Sequence, residues 1–177
     1  MNKKELHVVG AVVLGMALLL SASVTQASTH IQYLPHAGYA EGKSSIIGQC
    51  PDGRIQMYEV ATGRTVHLGQ MEWEGISCVN PFTNEGSGSA DITAANGDHV
   101  FTEYTSLTVY DTPTSGRWYY DEAVVGGTGR FEGGPGGRLV EEGVVEVQFE
   151  PGNPYPVWVW YSTNMEAWVP VGWQGNK

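Results

Sequence analysis

Beyond residue 27 no stretch of helical length carries apolar residues at three- and four-residue spacing. The chain is instead a series of short alternating runs broken by Gly, Asn, Asp and Pro. Period-two alternation between turn residues is the signature of strands. It predicts strands near 44–50, 54–61, 66–74, 87–95, 99–110, 117–125, 138–149 and 157–163. Pro51-Asp52-Gly53, Thr62-Gly63, Asn80-Pro81, Asn96-Gly97 and the segment 113–116 read as the connections. Asn96-Gly97 is the sharpest, because both residue types accept the positive φ angles of a tight hairpin. Strands joined by such short turns are antiparallel, and their sheet must close into a barrel or split into a sandwich. Long runs such as 99–110 suit the tilted strands of a barrel. The expected fold is all-β, an eight-stranded antiparallel barrel forming one domain over 28–177. The segments 28–43 and 164–177 carry the weakest strand pattern and are expected to lie across the barrel ends.

The first 27 residues stand apart. Lys3 and Lys4 precede an apolar run from Val8 to Leu20, and Thr25-Gln26-Ala27 offers small side chains at the cleavage positions. That is the layout of a secretory signal peptide over 1–27. The run is shorter than the roughly 20 residues that span a bilayer as a helix, although an uncleaved anchor is the competing reading. The expected location is secreted or periplasmic, with no membrane span after processing. The two cysteines, Cys50 and Cys78, are then expected to form a disulfide, since an even pair in an oxidising compartment usually does. Neither belongs to a C-x-x-C pair, and a catalytic thiol is the alternative.

Charge removes two classes of partner. Nine Lys and Arg stand against nineteen Asp and Glu, for a net −10 with no basic cluster. Nucleic acid needs a basic face to displace phosphate counterions, and an anionic membrane surface attracts one. No nucleic acid is expected. Neither a zinc nor a calcium spacing appears, so no metal and no cofactor are expected.

The glycine-rich segment GGTGRFEGGPGGRL, residues 126–139, admits three readings: a phosphate loop, a linker or a corner. A dinucleotide fingerprint would need glycine where Glu132 stands and then a helix, but RLVEEGVVEVQF follows and alternates like a strand. A linker needs a second domain. A corner remains, with Phe131 as the side chain able to plug a barrel end.

GGTGRFEG followed by a strand resembles the motif shared by allene oxide cyclases and dirigent proteins. The nearer likeness is to uncharacterised bacterial proteins with an allene-oxide-cyclase-like, calycin-like barrel. That group tends to show a His-Leu-Gly stretch, here TVHLG at 65–69. It also shows an Ala-Asn-Gly-Asp hairpin, here TAANGD at 93–98, ahead of the Gly-Thr-Gly-x-Phe corner. The resemblance implies a small barrel with a cavity for a hydrophobic molecule, and self-association as dimers or trimers. GGPGG at 133–137 departs from the group's tighter ending. The plant cyclases' acidic catalytic region has no counterpart in the first half of this chain, so no catalytic residue is carried over.

Strand alternation gives a first assignment of the interior. Leu139, Val145, Val147 and Phe149 share a parity with Glu141. Phe101, Leu107 and Val109 share one with His99 and Glu103, and Met71 and Trp73 share one with His67. On that reading Glu103, Glu141, His67 and His99 are the candidate acids and bases, since burial raises a carboxyl pKa and lowers a histidine's. A rim position or a one-residue slip in register is the competing account. Met71, Trp73, Phe101 and Phe131 are the candidate ligand contacts. The leading expectation is an exported barrel holding a small hydrophobic molecule without chemistry. A cyclase or isomerase using a buried carboxyl is the second reading. A structural or glycan-binding protein using the C-terminal Trp168 and Trp173 is the third.

Overall fold

The computed structural model describes residues 31–132 and 136–172. Eight antiparallel strands close on themselves in chain order: β1 (Ile31–Gln49), β2 (Ile55–Thr65), β3 (Gly69–Val79), β4 (Glu85–Ala94), β5 (His99–Thr112), β6 (Ser115–Gly127), β7 (Arg138–Gln148) and β8 (Val157–Gly172), with β8 pairing back to β1. Burial alternates along the strands, so one face of the sheet forms a continuous interior.

Residues 31–43 and 164–172 do not lie across the barrel, and the rest of the two end segments, 28–30 and 173–177, falls outside the described residues. Residues 31–37 extend β1 and pair with 166–172 of β8, from Ile31 opposite Gly172 to Ala37 opposite Glu166. β2 joins β1 only from Gly38 onward, so this extension has a free edge. Proline is tolerated at a free edge because no ladder hydrogen bond is lost there. Pro35 and Pro170 therefore sit in strands although they read as breakers.

The interior accommodates large rings because the wall opposite them is glycine. Trp160 pairs across strands with Gly42, Trp118 with Gly143 and Tyr104 with Gly88. A Cβ on any of these glycines would collide with the facing ring or the adjoining backbone. Trp73, Tyr104, Trp118, Tyr120 and Trp160 form one network of edge-to-face and tilted contacts, with centroids 5.0 Å apart for Trp118–Tyr120 and 5.1 Å for Trp118–Trp160. Such pairs add about 0.5–1.5 kcal/mol each beyond the area they bury.

The two barrel ends differ. At one end Leu68, Ile92, Val100, Val124, Phe131 and Leu139 are fully buried and close the barrel. Phe131 belongs to a single 3₁₀ turn, Gly129–Phe131, after β6. The three short stretches of the family resemblance meet here. Leu68 accepts a backbone hydrogen bond from Ala95 at 3.0 Å, and Thr128 and His99 bond reciprocally through Thr128 Oγ1 and backbone at 2.9 Å. The Asp98 carboxylate accepts the Arg130 amide at 3.1 Å and the Asn96 side chain at 2.6 Å. Gly129 has φ +56, and a Cβ there would strike Asp98. The glycine segment is thus a corner that holds a plug.

At the other end Cys50 and Cys78 form a disulfide, with Cα atoms 6.1 Å apart, tying the β1–β2 turn to the end of β3. Arg54 braces the same rim, donating to the Cys78 carbonyl at 2.8 Å and to Ser87 Oγ at 2.9 Å. Among the described residues no helix is long and apolar enough to cross a membrane.

Candidate functional site

The end opposite the Phe131 plug is open. A cavity of about 190 Å³ descends from it between β2, β5, β6, β7 and β8. Its mouth is set by Ile55, Val79 and Pro81, its walls by Met57, Thr108, Tyr110, Val145 and Trp158, and its floor by Glu59, Trp118, Tyr120 and Trp160. β2 supplies Met57 and Glu59 from its inward row, and β6 supplies Trp118 and Tyr120 from its own. The three indole N–H groups are already engaged: Trp118 with the Val144 carbonyl at 3.1 Å, Trp158 with the Tyr110 hydroxyl at 2.6 Å and Trp160 with Ser44 Oγ at 3.1 Å.

Glu59 is the one charged residue of this lining. It is 2% exposed, and accepts hydrogen bonds from the Ser77 hydroxyl and, at 2.6 Å, from the Tyr120 hydroxyl. Burial pushes its carboxyl above the usual range, and the two hydroxyls pull part of the way back. The Tyr104 hydroxyl comes near the same carboxyl without a hydrogen bond to it, and burial raises its pKa.

Two more carboxyl groups lie deeper. Glu122, 2% exposed, and Glu141, 6% exposed, flank a void of about 10 Å³ with Trp73, Met71 and Trp160. Burial pushes Glu122 up to about 7, with contacts from Thr102 and Trp73 opposing and the Glu59 charge adding. Burial first, and then the charge of Glu122, drive Glu141 well above its ordinary value. One oxygen of Glu122 and the hydroxyls of Thr102 and Tyr104 are buried without a hydrogen-bond partner among the described residues. An unpaired buried charge costs several kcal/mol, so folding favours the protonated form of these carboxyls.

Of the residues singled out from sequence, Met71, Trp73, Phe131 and Glu141 point inward. None of those four reaches the open cavity. Phe131 fills the closed end, and the other three surround the small inner void. Phe101 and Glu103 require correction, because both face outward. β5 turns Val100, Thr102 and Tyr104 inward and places Ser106, Thr108 and Tyr110 along the cavity. Leu107 and Val109 lie on the outer wall with Phe101. Phe149 has run past the rim and is 74% exposed. His67 sits half-buried in the β2–β3 turn at the closed end. His99 lies on the outer wall, its Nδ1 2.7 Å from Asp91 Oδ1. Trp168 is exposed on β8, and Trp173 lies outside the described residues.

Glu59 and Glu122 escaped the sequence reading, although the signal was present. Glu59 alternates with Met57 and Ala61, and Glu122 with Trp118, Tyr120 and Val124. Among the described residues no group of three or more His, Cys, Asp or Glu side chains is placed to hold a metal ion.

The chain matches no protein-family model, no curated protein and no solved structure. The class of the protein is therefore set by its own architecture: a closed eight-stranded antiparallel β-barrel with a cavity open at one end.

Proposed function

We propose that this is an exported binding protein that holds one small, largely apolar molecule in the open end of its barrel. The observation that carries this reading is the cavity with its aromatic lining and single charged residue on the floor. An eight-stranded barrel is about wide enough either to fill with side chains or to hold one small ligand. A dry cavity of about 150 Å³ accepts benzene, so a volume of about 190 Å³ suits a one-ring compound or a short branched chain. Export after cleavage at Ala27 is supported by the layout of residues 1–27 and fits the Cys50–Cys78 disulfide. Membership of the allene-oxide-cyclase-like barrels is part of the same proposal, and rests on the three short motifs at the closed end.

The test is calorimetric titration with benzyl alcohol and cyclohexanol, read in parallel by tryptophan emission. The expected result is saturable binding of one equivalent, abolished when Thr108→Trp fills the cavity. Absence of saturable binding to the folded protein, or equal binding by the filled variant, overturns the reading.

A second reading is favoured by one arrangement, the Glu59–Tyr120 pair at the cavity floor. An isomerase or cyclase would use such a buried carboxyl to polarise an oxygen of a substrate folded by the walls. Turnover of an allene oxide to its cyclic isomer, lost in Glu59→Gln and kept in Glu103→Gln, is the expected result. Equal product ratios with and without protein retire the reading.

A further inference from the structure

We propose that the ligand of the open cavity is a small organic cation, a quaternary or protonated amine with an apolar body. This inference rests on the cavity reading above and narrows it to one charge class.

The argument is electrostatic. Five aromatic side chains line the space, three of them indoles, and the lining contains no Lys, Arg or His. An aromatic ring is negative over its face and positive at its edge. The strongest positive points, the indole N–H groups, are spent on Val144, Tyr110 and Ser44. Tyr120 likewise gives its hydroxyl proton to Glu59. The lining then offers aromatic rings, the hydroxyls of Ser44, Ser106, Thr108 and Tyr110, the Asn84 amide and the Glu59 carboxyl, with no cationic group among them. Such a surface attracts a cation, and more strongly as the site desolvates.

Glu59 supplies the countercharge. Its carboxyl accepts from two hydroxyls and no basic group lines the cavity beside it, so the protein supplies it no cationic partner, and burial favours its proton until one arrives. A buried charge of this kind is favourable only when paired. A ligand ammonium at the floor completes the pair that the protein leaves open. The net charge of −10 adds a long-range attraction for cations and none for fatty acids or phosphates.

The test compares isosteres on the full chain. Choline and 3,3-dimethylbutan-1-ol share shape and hydroxyl and differ by the charge. Choline is expected to bind at least roughly tenfold more tightly. Glu59→Gln is expected to cost choline at least roughly tenfold more affinity than it costs the neutral alcohol, which removes the preference. Thr108→Trp is expected to abolish both. Equal wild-type affinity for the two, lost in Thr108→Trp, overturns the cation inference and leaves the apolar cavity standing. A preference for choline that survives in Glu59→Gln overturns the role of Glu59 as countercharge. Binding of neither compound to the folded chain overturns this inference, and the benzyl alcohol titration then decides the reading beneath it.

Discussion

At the scale of single residues, the three interior carboxyls share one cause and differ in consequence. Glu59 has hydroxyl donors and a view of the cavity, whereas Glu122 and Glu141 flank a small inner void, and Thr102 and Trp73 offset only part of the burial of Glu122. Folding moves the Glu122 carboxyl from its ordinary 4.5 to about 7, so the native state favours its proton. The associated stability is fully present below about pH 4.5 and is lost as pH rises through about 7. Glu141 on β7 and Glu59 on β2 shift the same way and steepen the loss, while Tyr104 on β5 and Tyr120 on β6 stay neutral across this range. The surface carboxylates Asp52, Asp98 and Asp121 shift downward and act at more acid pH. The melting temperature is thus expected to fall between pH 5 and pH 8. Glu122→Gln should flatten that slope and stabilise the protein at pH 8 by up to roughly 3 kcal/mol. Circular-dichroism melts of both proteins at the two pH values check it, and parallel slopes would refute it. Sequence reading found Glu141 because its strand neighbours are plainly apolar. It missed Glu59 because Glu59 lies among Met57, Ala61 and Gly63, a thin apolar row chosen to leave space.

Elements show the same lesson in reverse. β5 was assigned inside out, since its large apolar residues Phe101, Leu107 and Val109 face outward and its hydroxyl-bearing residues face the cavity. A strand that lines an open cavity does not need an apolar inner face, so hydrophobic parity inverts there. The corner at 126–131 was legible, because a lone phenylalanine among glycines has few other uses. Its plug and its clasp are separable by mutation. Phe131→Ala should cost about 3–5 kcal/mol by opening a void in the closed end. Gly129→Ala should cost about 1–3 kcal/mol through its positive φ and the clash with Asp98. Urea titrations measure both. Ligand affinity at saturating folded fraction is expected to stay unchanged in both, because the cavity lies at the other end. A wild-type midpoint in Gly129→Ala would show that the corner relaxes freely.

For the whole molecule, strand number followed from the alternating runs and the turn residues between them, and strand length favoured a barrel over the sandwich that the same pattern allows. What stayed hidden was the pairing of the two chain ends, because pairing at a free edge carries no local pattern and tolerates proline. The disulfide sits at the open rim, across 28 residues of chain. Replacing both cysteines by serine is expected to cost about 3–4 kcal/mol in the chain-entropy account. A thermal melt of Cys50→Ser/Cys78→Ser against the oxidised parent measures this, and equal melting temperatures would assign the rim's rigidity to Arg54 instead.

Because Phe131 and its neighbours seal one end, a molecule held in the cavity as proposed above has a single path in and out. A guest goes in headfirst and must back out. Lengthening a guest at its trailing end should then be tolerated, since that part hangs beyond the rim in water. Any enlargement of the leading group meets Trp118, Trp160 and Glu59 with nowhere to go.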